Sequence, residues 1–104
     1  MYRIKLNSEY DDLDKYKNDY DDIWYCKKNT NITHNPYGVA FIDKYGTKFY
    51  FIDGNLHRLD GAAVIRANGE EAYYINNEML SKEKFEMHPE RFKFLGKEHL
   101  ICLT

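Results

Sequence analysis

Cysteine, long apolar runs and net charge are all scarce in this chain of 104 residues, and each shortage excludes something. The two cysteines, Cys26 and Cys102, stand far apart with no CxxC or other metal-ligand spacing, which removes both a disulfide framework and a sequence-recognisable zinc module. They are expected to be reduced packing residues, with no signal peptide ahead of them and a cytoplasmic location. The longest apolar stretch is a handful of residues, far short of a membrane span. A formal net charge of -2 gives no field that would recruit nucleic acid to the whole surface. No Asp-x-Asp-x-Asp-Gly run is present, so a calcium loop is not expected.

Aromatic residues are abundant: ten tyrosines raise the aromatic fraction to 16%. The core is therefore expected to rest on Tyr and Phe more than on Leu and Val, within a single domain spanning residues 1–104. The organising feature is a repeat. Setting residues 34–57 over residues 57–80 superposes His34 on His57, Gly38 on Gly61, Ala40 on Ala63, Ile42 on Ile65, Gly46 on Gly69, Tyr50 on Tyr73 and Ile52 on Ile75. A fixed period of this size means that one small unit stacks on the next. Asp53-Gly54, Asn68-Gly69 and Asn76-Asn77 are turn signals between short apolar runs, and they predict hairpins and an antiparallel meander over 31–80.

Ahead of the repeats, Tyr2, Ile4 and Leu6 alternate with Arg3 and Lys5, the pattern of a half-buried strand. From Ser8, read as an N-cap, to Trp24 the spacing suits a helix. Tyr10, Leu13, Tyr16, Tyr20, Ile23 and Trp24 fall on one arc, and Asp11, Asp12, Asp14, Asp19, Asp21 and Asp22 on the opposite arc. Residues 1–30 are thus expected to form a strand plus an acidic amphipathic helix. Residues 81–104 are expected to form a cap: a short helix from Ser81, a second helical turn opened near Pro89, and a last strand over His99–Leu103. The expected fold class is α+β.

Within the repeat, Phe51-Ile52-Asp53-Gly54-Asn55-Leu56-His57 sets an aromatic, a turn glycine and a histidine at three-residue intervals. Tyr74 to Leu80 keeps the aromatic and the turn without the Gly and the His, and Trp24, Asn31 and His34 form a degenerate earlier copy. This pattern resembles a MORN-type repeat, most closely the variant of small phage and bacterial proteins that read His-Arg-x-Asp-Gly-Pro-Ala, here His57-Arg58-Leu59-Asp60-Gly61-Ala62-Ala63. His34, Gly38, Gly46, Gly54, His57, Asp60, Gly61 and Gly69 are its defining positions in this chain, and Ala62 departs from the pattern. The resemblance implies a binding platform for proteins, or sometimes lipids, that is not itself catalytic; a protein partner and no cofactor are expected.

The acidic face is the sharpest local feature, because six Asp on one helix face cost helix propensity and repel one another. Spaced carboxylates can stand in for phosphates against a basic groove. The functional expectation is a protein-binding module, in its concrete form a phage-encoded inhibitor of a bacterial defence enzyme acting in the host cytoplasm, or an antitoxin-like partner. The bland alternative is a solvated face that keeps an aromatic-rich domain dispersed. A nucleic-acid-binding protein that uses sheet aromatics, and a small hydrolase around His57, Arg58 and Asp60, remain as other classes. No Ser or Cys stands at a recognisable spacing from His57, and His34 at the same repeat position marks both histidines as repeat residues. Zinc held by Cys26, His34 and His57 has no motif behind it.

Overall fold

Asn18 decides the shape of the first thirty residues. Its Oδ1 accepts the amides of Tyr20 (2.9 Å) and Asp22 (3.1 Å), and its Nδ2 donates to Asp22 (3.0 Å). Asp21 takes a left-handed φ of 66° in this turn. Asn and Asp side chains compete in this way for local backbone groups, and a cluster of them at 18–22 closes a turn where a helix would have to continue. The computed structural model describes residues 2–96. It places strands on both sides of that turn: β1 (Arg3–Leu6), β2 (Leu13–Asn18) and β3 (Ile23–Lys27).

The acidic amphipathic helix is therefore corrected to a β-hairpin. Ser8 does not cap a helix; its Oγ accepts the Tyr10 amide at 3.1 Å and turns the chain from β1 into β2. The aromatic residues that share a helical arc are gathered just as well by pairing, because Tyr16 lies directly opposite Trp24 across β2 and β3.

Beyond β3 come β4 (Phe41–Ile42), β5 (Lys48–Phe49), β6 (Phe51–Ile52), β7 (Asn55–Leu56), β8 (Val64–Ile65), β9 (Glu71–Ile75) and β10 (Glu78–Leu80). Eight of the ten strands among the described residues form one antiparallel sheet in the order β1-β2-β3-β4-β5-β8-β9-β10, and β6 pairs with β7 beside it. Trp24 opposes Phe41, and Phe41 opposes Phe49. Directly opposed residues share a face, so one aromatic ladder crosses four strands. Its ring centroids are 5.9 Å apart from Tyr16 to Trp24, 5.9 Å from Trp24 to Phe41 and 5.7 Å from Phe41 to Phe49. Offset and edge contacts at such distances suit ring quadrupoles. The other face carries Ile23, Ile42 and Ile65 in one row with Lys17 and Lys48. The buried apolar set is otherwise small: Leu13, Cys26, three alanines, Val64, Ile75 and Phe85.

The repeat offset is carried into the hydrogen bonds. Ala40 and Ala63 donate to Phe49 O and Ala72 O, both at 2.9 Å, and Gly46 and Gly69 donate to Asp43 O and Arg66 O at 3.0 and 2.9 Å. The turn glycines Gly46 and Gly69 have φ of 91° and 92°. Asp53-Gly54 and Asn76-Asn77 are matching turns with positive φ at both positions (52° and 80°; 50° and 70°). Asn tolerates the left-handed region, which is how the later copy dispenses with glycine. An earlier copy uses Tyr25: His34 donates its amide to Tyr25 O and His57 to Tyr50 O, both at 3.0 Å. Two extra residues between Tyr25 and His34 make its turn longer, with Asn29 at φ 61°.

Ser81 caps α1 (Lys82–Glu86) by accepting the Lys84 amide at 3.2 Å, and α2 (Pro89–Phe94) starts with its proline in the first turn, where the missing N–H costs nothing. Phe85 of α1 is 2% exposed and packs on Tyr73 at 4.7 Å. At the other end of the array, Tyr10 meets Tyr25 edge-on at 5.5 Å and stacks on Tyr37 at 4.9 Å. The strand expected over His99–Leu103, and Cys102, lie outside the described residues. No helix among those described is long and apolar enough to cross a membrane.

Candidate functional site

Each histidine of the repeat opens a loop, residues 34–39 before β4 and residues 57–62 before β8. Its imidazole ties that loop to the following turn: His34 Nδ1 accepts the Asp53 amide and His57 Nδ1 the Asn76 amide, each at 2.9 Å. Backbone bonds reinforce both ties, Asn35 to Phe51 O at 3.0 Å and Arg58 to Tyr74 O at 3.2 Å. With Nδ1 accepting, a neutral imidazole carries its proton on Nε2, so both rings present a donor outward. Burial first of all pushes His34 below the usual histidine range, with the Asp53 carboxylate opposing. His34 Nδ1 also lies 3.8 Å from the Asp53 carboxylate. Because its lone pair is already given to the amide, the pair is a neutral contact and the carboxylate takes Lys27 as its ionic partner.

Between the two loops lies an open cavity of about 490 Å³, bordered by Asn35, Pro36, Tyr37 and Gly38 of the first loop, His57, Arg58, Leu59 and Asp60 of the second, Tyr50 between β5 and β6, Ile52 of β6, and Phe94 from α2. Its size suits a side chain or small ligand. Arg58 is clamped: its guanidinium lies 4.0 Å from the Tyr50 ring centroid, Nη1 donates to Ala62 O at 3.0 Å and Nε to Asp60 at 2.9 Å. Gly61 is needed for that clamp, since a Cβ there would come within 2.9 Å of Arg58 Cζ. Gly38, its repeat equivalent, faces open space. Arg58 Nη2, the Tyr50 hydroxyl and His57 Nε2 have no hydrogen-bond partner among the described residues. All three can donate.

His57, Arg58 and Asp60, the residues of the hydrolase alternative, all border the cavity: Arg58 and Asp60 form the loop clamp, and His57 Nδ1 accepts the Asn76 amide. No group of three metal-ligating side chains occurs among the described residues. Cys26 is buried, and that burial pushes its thiol up.

The six aspartates are split by the hairpin. Asp11 and Asp12 sit in the turn before β2, and Asp19, Asp21 and Asp22 in the turn after it, roughly 20 Å away at about 3.3 Å per residue. Asp12 accepts the Tyr37 hydroxyl at 2.7 Å, and Asp21 pairs with Lys17 at 3.2 Å. Asp14 is 3% exposed; it accepts the Asn29 amide at 2.8 Å and pairs with Lys5 at 3.3 Å. The Asn29 amide, and after it Lys5, hold this carboxyl below the usual range. The continuous acidic ridge is corrected to two separate turns and one internal ion pair.

No family model matches this chain. Comparison with curated proteins and with solved structures likewise gives no match. The cavity went unpredicted because Tyr50 reads in sequence as one more strand aromatic; Arg58 with Gly61 three residues on was the only local sign of a clamped guanidinium.

Proposed function

We propose that this chain is a non-enzymatic protein-binding module whose recognition site is the cavity between the two histidine loops. The observation that carries the reading is the set of three donor groups, the Tyr50 hydroxyl, His57 Nε2 and Arg58 Nη2, that have no partner among the described residues and surround an apolar-walled opening on loops fixed to the sheet. Loops held by a scaffold are where binding residues concentrate. The MORN-type resemblance adds support, since it implies a binding platform. A nucleic-acid-handling host enzyme remains the partner class we favour, which keeps the anti-defence inhibitor reading. The partner would be engaged through shape at this cavity, because the aspartates do not form the ridge that phosphate mimicry requires. The nucleic-acid-binding alternative has less behind it, because the ladder rings pack against one another and have fewer faces for bases.

Gly38→Leu tests the site, because Gly38 borders the cavity and a side chain there meets nothing within 4 Å. Bacterial lysate is passed over immobilised wild-type and variant chains, and bound species are identified by mass spectrometry. A protein retained by the wild type and lost with Gly38→Leu is the expected result. Equal retention by both would move the recognition surface elsewhere, and retention by neither would overturn the reading.

A further inference from the structure

Three tyrosines, Tyr25, Tyr50 and Tyr73, occupy equivalent positions in successive copies, but among the described residues only the outer two are covered by an aromatic ring from their own chain. Tyr10 packs edge-on against Tyr25 at 5.5 Å, and Phe85 covers Tyr73 at 4.7 Å. Tyr50 has the Arg58 guanidinium and the cavity. The equivalence extends to the surroundings. Tyr10 also stacks on Tyr37, whose counterpart one period later is Asp60, a residue of the cavity wall. The cavity therefore stands where Tyr10 sits in the preceding copy.

The filled copy shows what the position accepts. Glu9, beside Tyr10, takes a hydrogen bond of 2.7 Å from the Tyr25 hydroxyl and pairs with Lys15 at 3.1 Å. An aromatic ring and an adjacent carboxylate thus satisfy a tyrosine hydroxyl and a cation together. At the middle copy the Tyr50 hydroxyl has no partner among the described residues, and Arg58 Nη2 and His57 Nε2 supply further donors. We infer that the cavity receives an aromatic side chain, preceded by an acidic residue, from a turn of a partner protein, in the way the first copy receives Glu9-Tyr10 from the turn between β1 and β2. The inference rests on the protein-binding reading above and adds the chemistry of the segment bound.

The probe is acetyl-Ser-Glu-Tyr-Asp-Asp-amide, the sequence of residues 8–12, titrated into the isotopically labelled chain and followed by amide shifts in two-dimensional NMR. A short uncyclised peptide is expected to bind weakly, with Kd on the order of 1 mM, and to shift Tyr50, Arg58, Leu59 and Gly61. Replacing its Tyr by Ala should abolish saturation. Replacing its Glu by Gln should weaken binding about threefold, the scale of an exposed ion pair. Gly38→Leu should block binding while leaving the rest of the spectrum in place, and Tyr50→Phe should weaken the Glu and the Gln peptides alike while keeping the ring contact.

Shifts that are the same with the Tyr-to-Ala peptide, yet blocked by Gly38→Leu, would overturn the aromatic assignment and leave the cavity as a protein site. An absence of saturable shifts at these residues would overturn the occupant, whatever the lysate capture gives. Self-association of the chain, seen by sedimentation and lost with Gly38→Leu, would assign the cavity to a second copy and overturn the partner assignment.

Discussion

Residues 34–56 and 57–79 perform the same backbone task with different side chains. In the first copy Asn35 Nδ2 donates to Val39 O at 2.9 Å; in the second, at the equivalent place, Arg58 Nη1 donates to Ala62 O at 3.0 Å. The short Asn35 leaves Tyr25, the tyrosine ahead of its loop, to be covered by Tyr10, whereas the long Arg58 lies over Tyr50, the tyrosine ahead of its own loop. The same carbonyl is satisfied both times. One period is thereby closed with packing and the other left with an opening and unused donors. In a repeat array, geometry is shared and chemistry is set copy by copy.

The comparison can be broken most severely at a covered site. Phe85→Ala empties the position over Tyr73 and should cost about 3–5 kcal/mol, measured as a lowered urea midpoint with the loss of the shielded Tyr73 environment in NMR. A change below about 1 kcal/mol would mean that the ring over Tyr73 contributes little, and the contrast between covered and bare tyrosines would lose its energetic meaning. A milder test separates the two loop glycines. Gly61→Ala displaces the guanidinium from Ala62 O and Tyr50 and should cost about 1–2 kcal/mol. Gly38→Ala should stay within about 0.5 kcal/mol. Equal effects in thermal melts would show that the clamp does not stabilise its loop.

The smallest expected effect concerns pH. The folded pKa of His34 lies below the usual 6.5, chiefly through burial, so the unfolded chain takes up the proton first. The stability contributed by the neutral ring is fully present above pH 6.5 and is lost as the pH falls through the folded value. Urea midpoints measured on either side of pH 6.5 should fall on the acid side, and His34→Ala should flatten that dependence. An unchanged slope in His34→Ala would assign it to other groups.

Alternation at Tyr2, Ile4 and Leu6 read correctly as a strand, and Asp53-Gly54 as a hairpin, because both signals are local. Ser81 and Pro89 likewise marked the starts of two short helices. Residues 8–24 misled because positions 16 and 24 are brought together equally by a helical arc and by a hairpin; the cluster of Asn and Asp at 18–22 was the physical tie-breaker. The cavity lay further out of reach. It depends on which of three equivalent tyrosines lacks a ring, and the two-residue insertion before His34 hid Tyr25 as a member of that set.

The histidine ties give the array an unused capacity. Each loop binds the turn that follows it through the same imidazole and backbone contacts, so a duplicated stretch of residues 40–62 would find its neighbours' donors and acceptors already in place. Such a lengthened chain would carry a second opening beside the first, at a spacing fixed by the sheet. Valency would then be a matter of copy number, and a two-headed segment could be gripped with an effective concentration that a single opening cannot supply.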